Sequence, residues 1–394
     1  MDNGFGVGDI MGNFNWIQQS MLFGLLGVSY SVPVFAEECP VGWSDTWMDK
    51  TSETAQAKSA EIAALEEYAF TLTGGDTDRL GIRTDSLLVV QHGNVLYERY
   101  ARGFTAENKH LQWSVTKSIN SALLGRAVQE NLLDVDASIC TYYADVPVEN
   151  CSISAKNLVT FSSGLDWTES YEGKSNQASS VLAMLYGVGS RDMAAFVAGH
   201  AKRDEPGSVV SYSTGDATLL SAVIGGAVST EFGAQYPWTM LFEPLGISAS
   251  YERDAKGTYV GGSYAYLTPR DMLRFGQLYL EDGCVQGERI LPEGWVAQST
   301  TPSEFFLEGD PCCEDDPVGL SWWLNVDVPE RNTERPYPDL PTDLYYASGH
   351  WGQTILVIPS WDVIIVRTAD DRDGSWDFNT GMSLALQLAE QPEQ

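Results

Sequence analysis

The sequence predicts an α+β fold on three observations: paired strand runs near both ends of the chain, a long helix opening at Ser114, and a helical, loop-rich middle. The first paired run spans Ser86 to Tyr100, two β-rich stretches joined through His92-Gly93-Asn94, which is a hairpin signal. The second is formed by Gly352–Pro359 and Asp362–Thr368, β-branched runs separated by Ser360-Trp361. Ahead of the first hairpin, residues 52–70 read as a helix, because Ala55, Ile62, Ala63, Leu65 and Tyr68 recur at helical spacing among Glu and Lys. A stronger helix runs from near Ser114 to about Asn131 and is expected to bury Ile119, Leu123, Leu124, Ala127 and Val128. Pro206-Gly207 and Thr268-Pro269 mark turns, and Asp282-Gly283 with Gln286-Gly287 predicts small turns or a hairpin. Phe378–Glu390 closes the chain as a helix. The acidic run Glu308–Asp316 reads as a solvated loop.

Composition narrows the function classes. The 394 residues carry 23 Lys+Arg against 54 Asp+Glu, a net charge of −31. Such a chain repels phosphate backbones, so nucleic-acid binding is excluded as a main role. The hydrophobic fraction of 43% supports a sizeable core and excludes wholesale disorder. The apolar stretch Met21–Ala36 suits the core of a secretion signal, although residues 1–36 hold no Lys or Arg. It is too short, and too interrupted by Pro33, to span a membrane. Export to the periplasm or the medium is the expectation, with a cytoplasmic chain as the alternative. Six cysteines suit an oxidising compartment, and Cys140 with Cys151, flanking a short loop, is the first pair to test. No CxxC or HExxH occurs and there are four His, so a zinc site is not expected.

Chemistry is concentrated at Ser114-Val-Thr-Lys117, at the start of the long helix. Residues three apart share a helix face, so the Lys amine can reach the Ser oxygen. A serine hydroxyl is a weak nucleophile until a base takes its proton, and a desolvated Lys can be that base. The helix N-terminus adds unpaired N–H groups and positive potential for a developing anion. Ser114 as a plain helix cap with a solvent-facing Lys117 is the competing reading.

The ordered segments WSVTKSINSALLGRAV, NLLDVDASI, LVTFSSGLDW, PGSVVSYSTGD and SGHWGQTILVIP resemble the serine β-lactamase-related family over about residues 80–390. That family includes class C β-lactamases, D-Ala-D-Ala carboxypeptidases, family VIII esterases and 6-aminohexanoate-dimer hydrolases. The resemblance implies a β-lactamase/transpeptidase-like fold: an antiparallel sheet from about 80–105 and 345–390, flanking helices, and a mostly helical subdomain over about 115–340. The hydrolase domain would cover 37–394, after an N-terminal segment at 1–36. Ser114-Val-Thr-Lys117 is then the nucleophile motif. Tyr212-Ser213-Thr214 matches the family's Tyr-x-Asn, which makes Tyr212, beside Lys117, the implied general base; Thr214 replaces the Asn. His350-Trp351-Gly352 stands where Lys-Thr-Gly is usual, as an implied substrate-binding stretch: a neutral His weakens carboxylate binding, and Gly352 permits close approach of substrate to the strand backbone. The backbone N–H groups of Ser114 and Gln353 are the implied oxyanion hole, each worth about 3 kcal/mol in the transition state. Tyr171, in Ser163–Tyr171, resembles a substrate contact of the dimer hydrolases, and Asp216 and Trp351 are further candidates for the cleft wall.

The function expected is therefore hydrolysis of a small ester or amide through an acyl-enzyme on Ser114, a reaction that requires no metal or organic cofactor. A β-lactamase or D-Ala-D-Ala carboxypeptidase is the alternative, and a non-catalytic ligand-binding scaffold the third. The high negative charge and the missing Lys at 350 favour neutral or cationic substrates.

Overall fold

The strands collect into a seven-stranded sheet with the spatial order Met48–Asp49, Asn94–Tyr100, Thr84–Gln91, Val363–Ala369, Gln353–Ile358, Tyr345–Gly349 and Trp323–Leu324. This computed structural model describes Cys39 and residues 47–392, apart from 172, 177, 312 and 315. The N-terminal segment expected at 1–36 lies outside the described residues. Every neighbouring pair in the sheet is antiparallel except the outermost, where Met48–Asp49 runs parallel to Asn94–Val95. The two ends of the chain meet at its centre, where Val363–Gln91 and Val366–Leu88 are register partners.

Alternation along the strands divides the interior into two cores. Leu87, Val89, Leu356, Ile358, Val363 and Ile365 face the terminal helices, packing with Leu65, Ala69, Met382 and Ala385. Leu88, Val90, Ile355, Val357, Ile364 and Val366 face the other way, into the larger core that contains Val115, Ile119 and Leu123. The nucleophile helix thus packs on the inner face of the sheet. It spans Val115–Gln129 and is buried almost all round, with Val115 through Gly125 enclosed. That exceeds the one-sided burial its sequence predicts, because the helix Thr214–Phe232 covers its other side.

Two boundaries differ from expectation. The helix expected over 52–70 is two, Thr51–Ala57 and Ser59–Phe70, broken at Lys58, where φ is −128°. The Lys58 amine donates to the carbonyls of Gln387 and Ala389, and the last helix, Phe378–Leu386, ends just before them. Thr268-Pro269 opens the helix Pro269–Leu280 as its cap and first residue, rather than marking an isolated turn. Cys140 pairs with Cys151, Cys39 pairs with Cys284, and Cys313 is disulfide-bonded as well. No described helix is long and apolar enough to cross a membrane.

Candidate active site

Ser114 occupies the cap position of its helix, yet its side chain caps nothing: it has αR backbone angles and makes no bond to the first-turn amides. Its oxygen is instead 3.0 Å from the Lys117 amine. The competing reading, a helix cap with a solvated lysine, therefore does not describe this pair. Trp113, immediately before it, has φ of +46°, a region bulky residues rarely occupy. That kink turns the chain from the strand His110–Leu111 into the helix and presents the hydroxyl to a cavity of about 380 Å³.

Lys117 is enclosed behind Ser114. Besides the serine, its Nζ donates to Thr214 Oγ1 at 2.9 Å and to the Gly262 carbonyl at 2.8 Å. Burial brings its pKa down from 10.5 to about 8, against the pull of Glu169, which favours the ammonium. The amine also sits 4.7 Å from the centroid of the Tyr212 ring, over its face. Tyr212 stacks on Trp323 and packs against Phe161. Burial first, and then Glu169, push the Tyr212 phenol far above its ordinary value, and a contact from Ser114 offsets part of that rise. At neutral pH Tyr212 is a protonated phenol.

Glu169 escapes the sequence reading, although it lies within the segment that singled out Tyr171. The spacing Trp167-x-Glu169-x-Tyr171 puts three side chains on one side of an extended stretch, and that alternation is the signal that could have found it. Its Oε2 accepts from the Trp167 indole at 2.6 Å and from the Thr214 amide at 3.0 Å. Its Oε1 accepts from the hydroxyls of Tyr171 and Thr214, both at 2.5 Å. Tyr171 in turn lies against His350, with ring centroids 5.2 Å apart. Burial foremost, and then Glu169, raise the Tyr171 phenol as well.

Ser114, Tyr171, Tyr212 and His350 line one cavity, with Lys117 behind the serine. Trp113, Trp323, Tyr337, Tyr346 and Asp316 complete much of its wall, the last from the acidic loop read as merely solvated. These come from stretches without periodic signal, so only the tertiary fold reveals them.

Three expected residues stand back from the cavity. The Gly349–Gly352 segment is a turn closed by Gly352 N–H donating to Gly349 O at 3.1 Å, so the strand edging the cavity is Tyr345–Gly349, not the one beginning at Gln353. Gln353 starts the next strand, wholly buried, and its side-chain amide exchanges hydrogen bonds with the backbone of Ala369. Trp351, at φ +61°, packs edge-on against Trp113, with Arg372 over its ring. Gly352, at φ +95°, is where a side chain would strike the buried Arg367–Asp371 pair. These residues shape the hairpin that holds His350. Asp216 is also away from the cavity: it is buried, with its pKa pushed up to about 7 by desolvation, and accepts from Ser163 and Ser213. It ties the Ser163 loop to the start of the Thr214 helix.

A Ser–Lys pair at a helix N-terminus, with the lysine buried behind the serine and a tyrosine and a sheet strand beside it, is the arrangement implied by the family resemblance. Residues 71–389 match the model of the Beta-lactamase family. The chain belongs to that family. Among characterised relatives, the 6-aminohexanoate-dimer hydrolase of Paenarthrobacter ureafaciens is 25% identical over 228 residues, which is 54% of this chain and 56% of that protein. The chain thus matches little more than half the length of this curated relative. A Bacillus anthracis protein provisionally named as a 6-aminohexanoate-dimer hydrolase superposes with a TM-score of 0.63 at 20% identity, over 78% of each chain. EstCE1, described as a hydrolase with promiscuous acyltransferase activity, superposes at 0.61 and 14% identity, covering 85% of this chain and 99% of its own. At these identities the superpositions establish the fold, which is the α+β, β-lactamase-type architecture expected from the sequence.

Proposed function

We propose that this Beta-lactamase family member is a serine hydrolase that cleaves small neutral or cationic esters or amides through an acyl-enzyme on Ser114. The observation that carries the reading is the 3.0 Å contact between Ser114 Oγ and an enclosed Lys117 whose pKa is about 8. At neutral pH a useful fraction of that amine is unprotonated, and its nitrogen already lies within hydrogen-bond distance of the hydroxyl it must deprotonate. Ser114 Oγ bonds to the substrate carbonyl carbon as its proton passes to Lys117 Nζ. The oxyanion is held by the Ser114 N–H, which has no acceptor among the described residues. A second donor comes from the Gly349 end of the strand Tyr345–Gly349, which borders the cavity, in place of Gln353. Collapse breaks the bond to the leaving group, which takes the proton back from Lys117. Water then repeats the sequence on the acyl-enzyme. Tyr212, being protonated, serves as a hydrogen-bond donor near the leaving group rather than as the base. This Ser–Lys chemistry is complete with groups the chain itself supplies. The disulfides fit export to an oxidising compartment.

Substrate charge follows from the cavity wall. It is lined by the aromatic side chains of Trp113, Tyr212, Trp323 and Tyr337, carries Asp316, and includes no Lys or Arg among the described lining residues. An aromatic wall that carries a carboxylate and no described cation attracts a cation and repels an anion. The test compares acetylthiocholine, its uncharged isostere 3,3-dimethylbutyl thioacetate, and a chromogenic cephalosporin, which carries a carboxylate. Expected kcat/KM values run in that order, with about tenfold between the first two. A cephalosporin turned over fastest would replace this reading with a β-lactamase.

A further inference from the structure

The exchange of Asn for Thr at position 214 alters what Lys117 is bonded to. An Asn side chain offers Lys117 a carbonyl oxygen, which can only accept. A threonine hydroxyl can accept or donate, and which it does depends on its other partner. Here that partner is Glu169, whose Oε1 receives the Thr214 hydroxyl at 2.5 Å. All four groups around the Glu169 carboxylate reach it as donors: the Trp167 indole, the Thr214 amide, and the hydroxyls of Thr214 and Tyr171.

We infer that Glu169 is a positioning residue: by holding the Thr214 proton, it turns a Thr214 lone pair towards Lys117 and so aims the reactive lone pair of Lys117 at Ser114. The amine has three partners and each constrains it. The Gly262 carbonyl has no proton and must accept. Thr214 Oγ1, its own proton given to Glu169, must also accept. Two of the three Nζ positions are therefore N–H donors in either protonation state. The third, towards Ser114 Oγ at 3.0 Å, holds a proton when Lys117 is charged and the lone pair when it is neutral. Without Glu169 the Thr214 hydroxyl keeps only the Tyr171 hydroxyl, 3.1 Å away, as a competing partner, and can rotate its proton onto the neutral amine. The lone pair would then be spent on Thr214, and Ser114 would face an N–H with nothing to take its proton.

The inference rests on Lys117 acting as the base, and it explains how this chain works without the family's Asn. It also assigns the sign of a charge effect. The Glu169 carboxylate favours protonated Lys117, so its removal lowers the Lys117 pKa. Loss of aim and gain of free base thus pull in opposite directions, a signature that a merely structural residue would not produce.

The experiment measures pH profiles of kcat and kcat/KM on an uncharged thioester for wild type, Glu169→Gln, Glu169→Ala, and Glu169→Ala combined with Thr214→Asn, with thermal melts to confirm folding. Glu169→Ala is expected to lower kcat by about 10- to 100-fold, with little change in KM, and to move the acid limb to lower pH. Glu169→Gln retains an acceptor oxygen without the charge, so the limb moves similarly while kcat falls less. Adding Thr214→Asn to Glu169→Ala supplies an acceptor in the space vacated by the glutamate and is expected to recover at least half of the lost activity on a logarithmic scale. Glutamine and alanine variants that fold, retain wild-type kcat and keep the acid limb in place would overturn the inference. So would a folded double variant no better than Glu169→Ala. Failure of the base assignment is separately visible: wild-type kcat/KM would then show no acid limb that disappears on Lys117→Met.

Discussion

Ser114→Ala is expected to lower kcat/KM on any substrate of this protein by about 10⁴-fold or more, and to leave thermal stability within about 1 kcal/mol of wild type. The two halves of that expectation have separate origins. Activity falls because, among the described residues, the one further hydroxyl bonded to Lys117 Nζ is Thr214, and its proton is committed to Glu169. Stability holds because the Ser114 side chain makes no capping bond, so the helix loses nothing when the oxygen goes. A serine kept for capping would show the reverse, a loss of stability with little change in rate. Steady-state kinetics and a thermal melt on one pair of proteins separate the two.

Lys117→Met is expected to cost about 10³-fold in kcat/KM, within the range for loss of a positioned general base. Methionine keeps the unbranched stem in the enclosed site but cannot take a proton. It also strips the Gly262 carbonyl and Thr214 hydroxyl of a donor, at about 1–3 kcal/mol of stability for each group left unpaired. The pH dependence carries the sharper information. Lys117 must be neutral to act, and burial lowers its pKa from 10.5 to about 8. Activity therefore rises with pH, about tenfold per unit below about 8, and levels off above it. If Tyr212 were the base, its phenol, raised by burial, would place the rise far higher. A wild-type limb near 8 that vanishes in Lys117→Met assigns the proton transfer to the lysine.

The fold was legible because its signals are local. Gln91-His92-Gly93-Asn94 and Ile358–Val363 are short connections between β-rich runs, and both became hairpins of the central sheet. Their alternating residues then sorted into two cores with no further information. The Ser114–Lys117 contact was legible for a similar reason, since the helical repeat alone brings positions three apart together. Glu169 was harder: its partners Thr214 and Tyr171 lie 45 and two residues away, and only the packing of an irregular loop joins them. Gln353 shows the opposite case. A run of β-branched residues located the strand correctly but not its place in the sheet, and the cavity proved to be edged by the strand before it. Asp316 was read from charge as solvated surface. It is exposed, yet it lies on the cavity wall, which composition cannot disclose.

The most direct test of the account is covalent. Wild-type protein incubated with a fluorophosphonate and examined by intact mass and peptide mapping is predicted to gain one adduct, on Ser114, faster above pH 8 than below it, and Ser114→Ala is predicted to gain none. No adduct on folded wild-type protein, or an adduct on a different residue, would contradict the claim that Ser114 is an activated nucleophile.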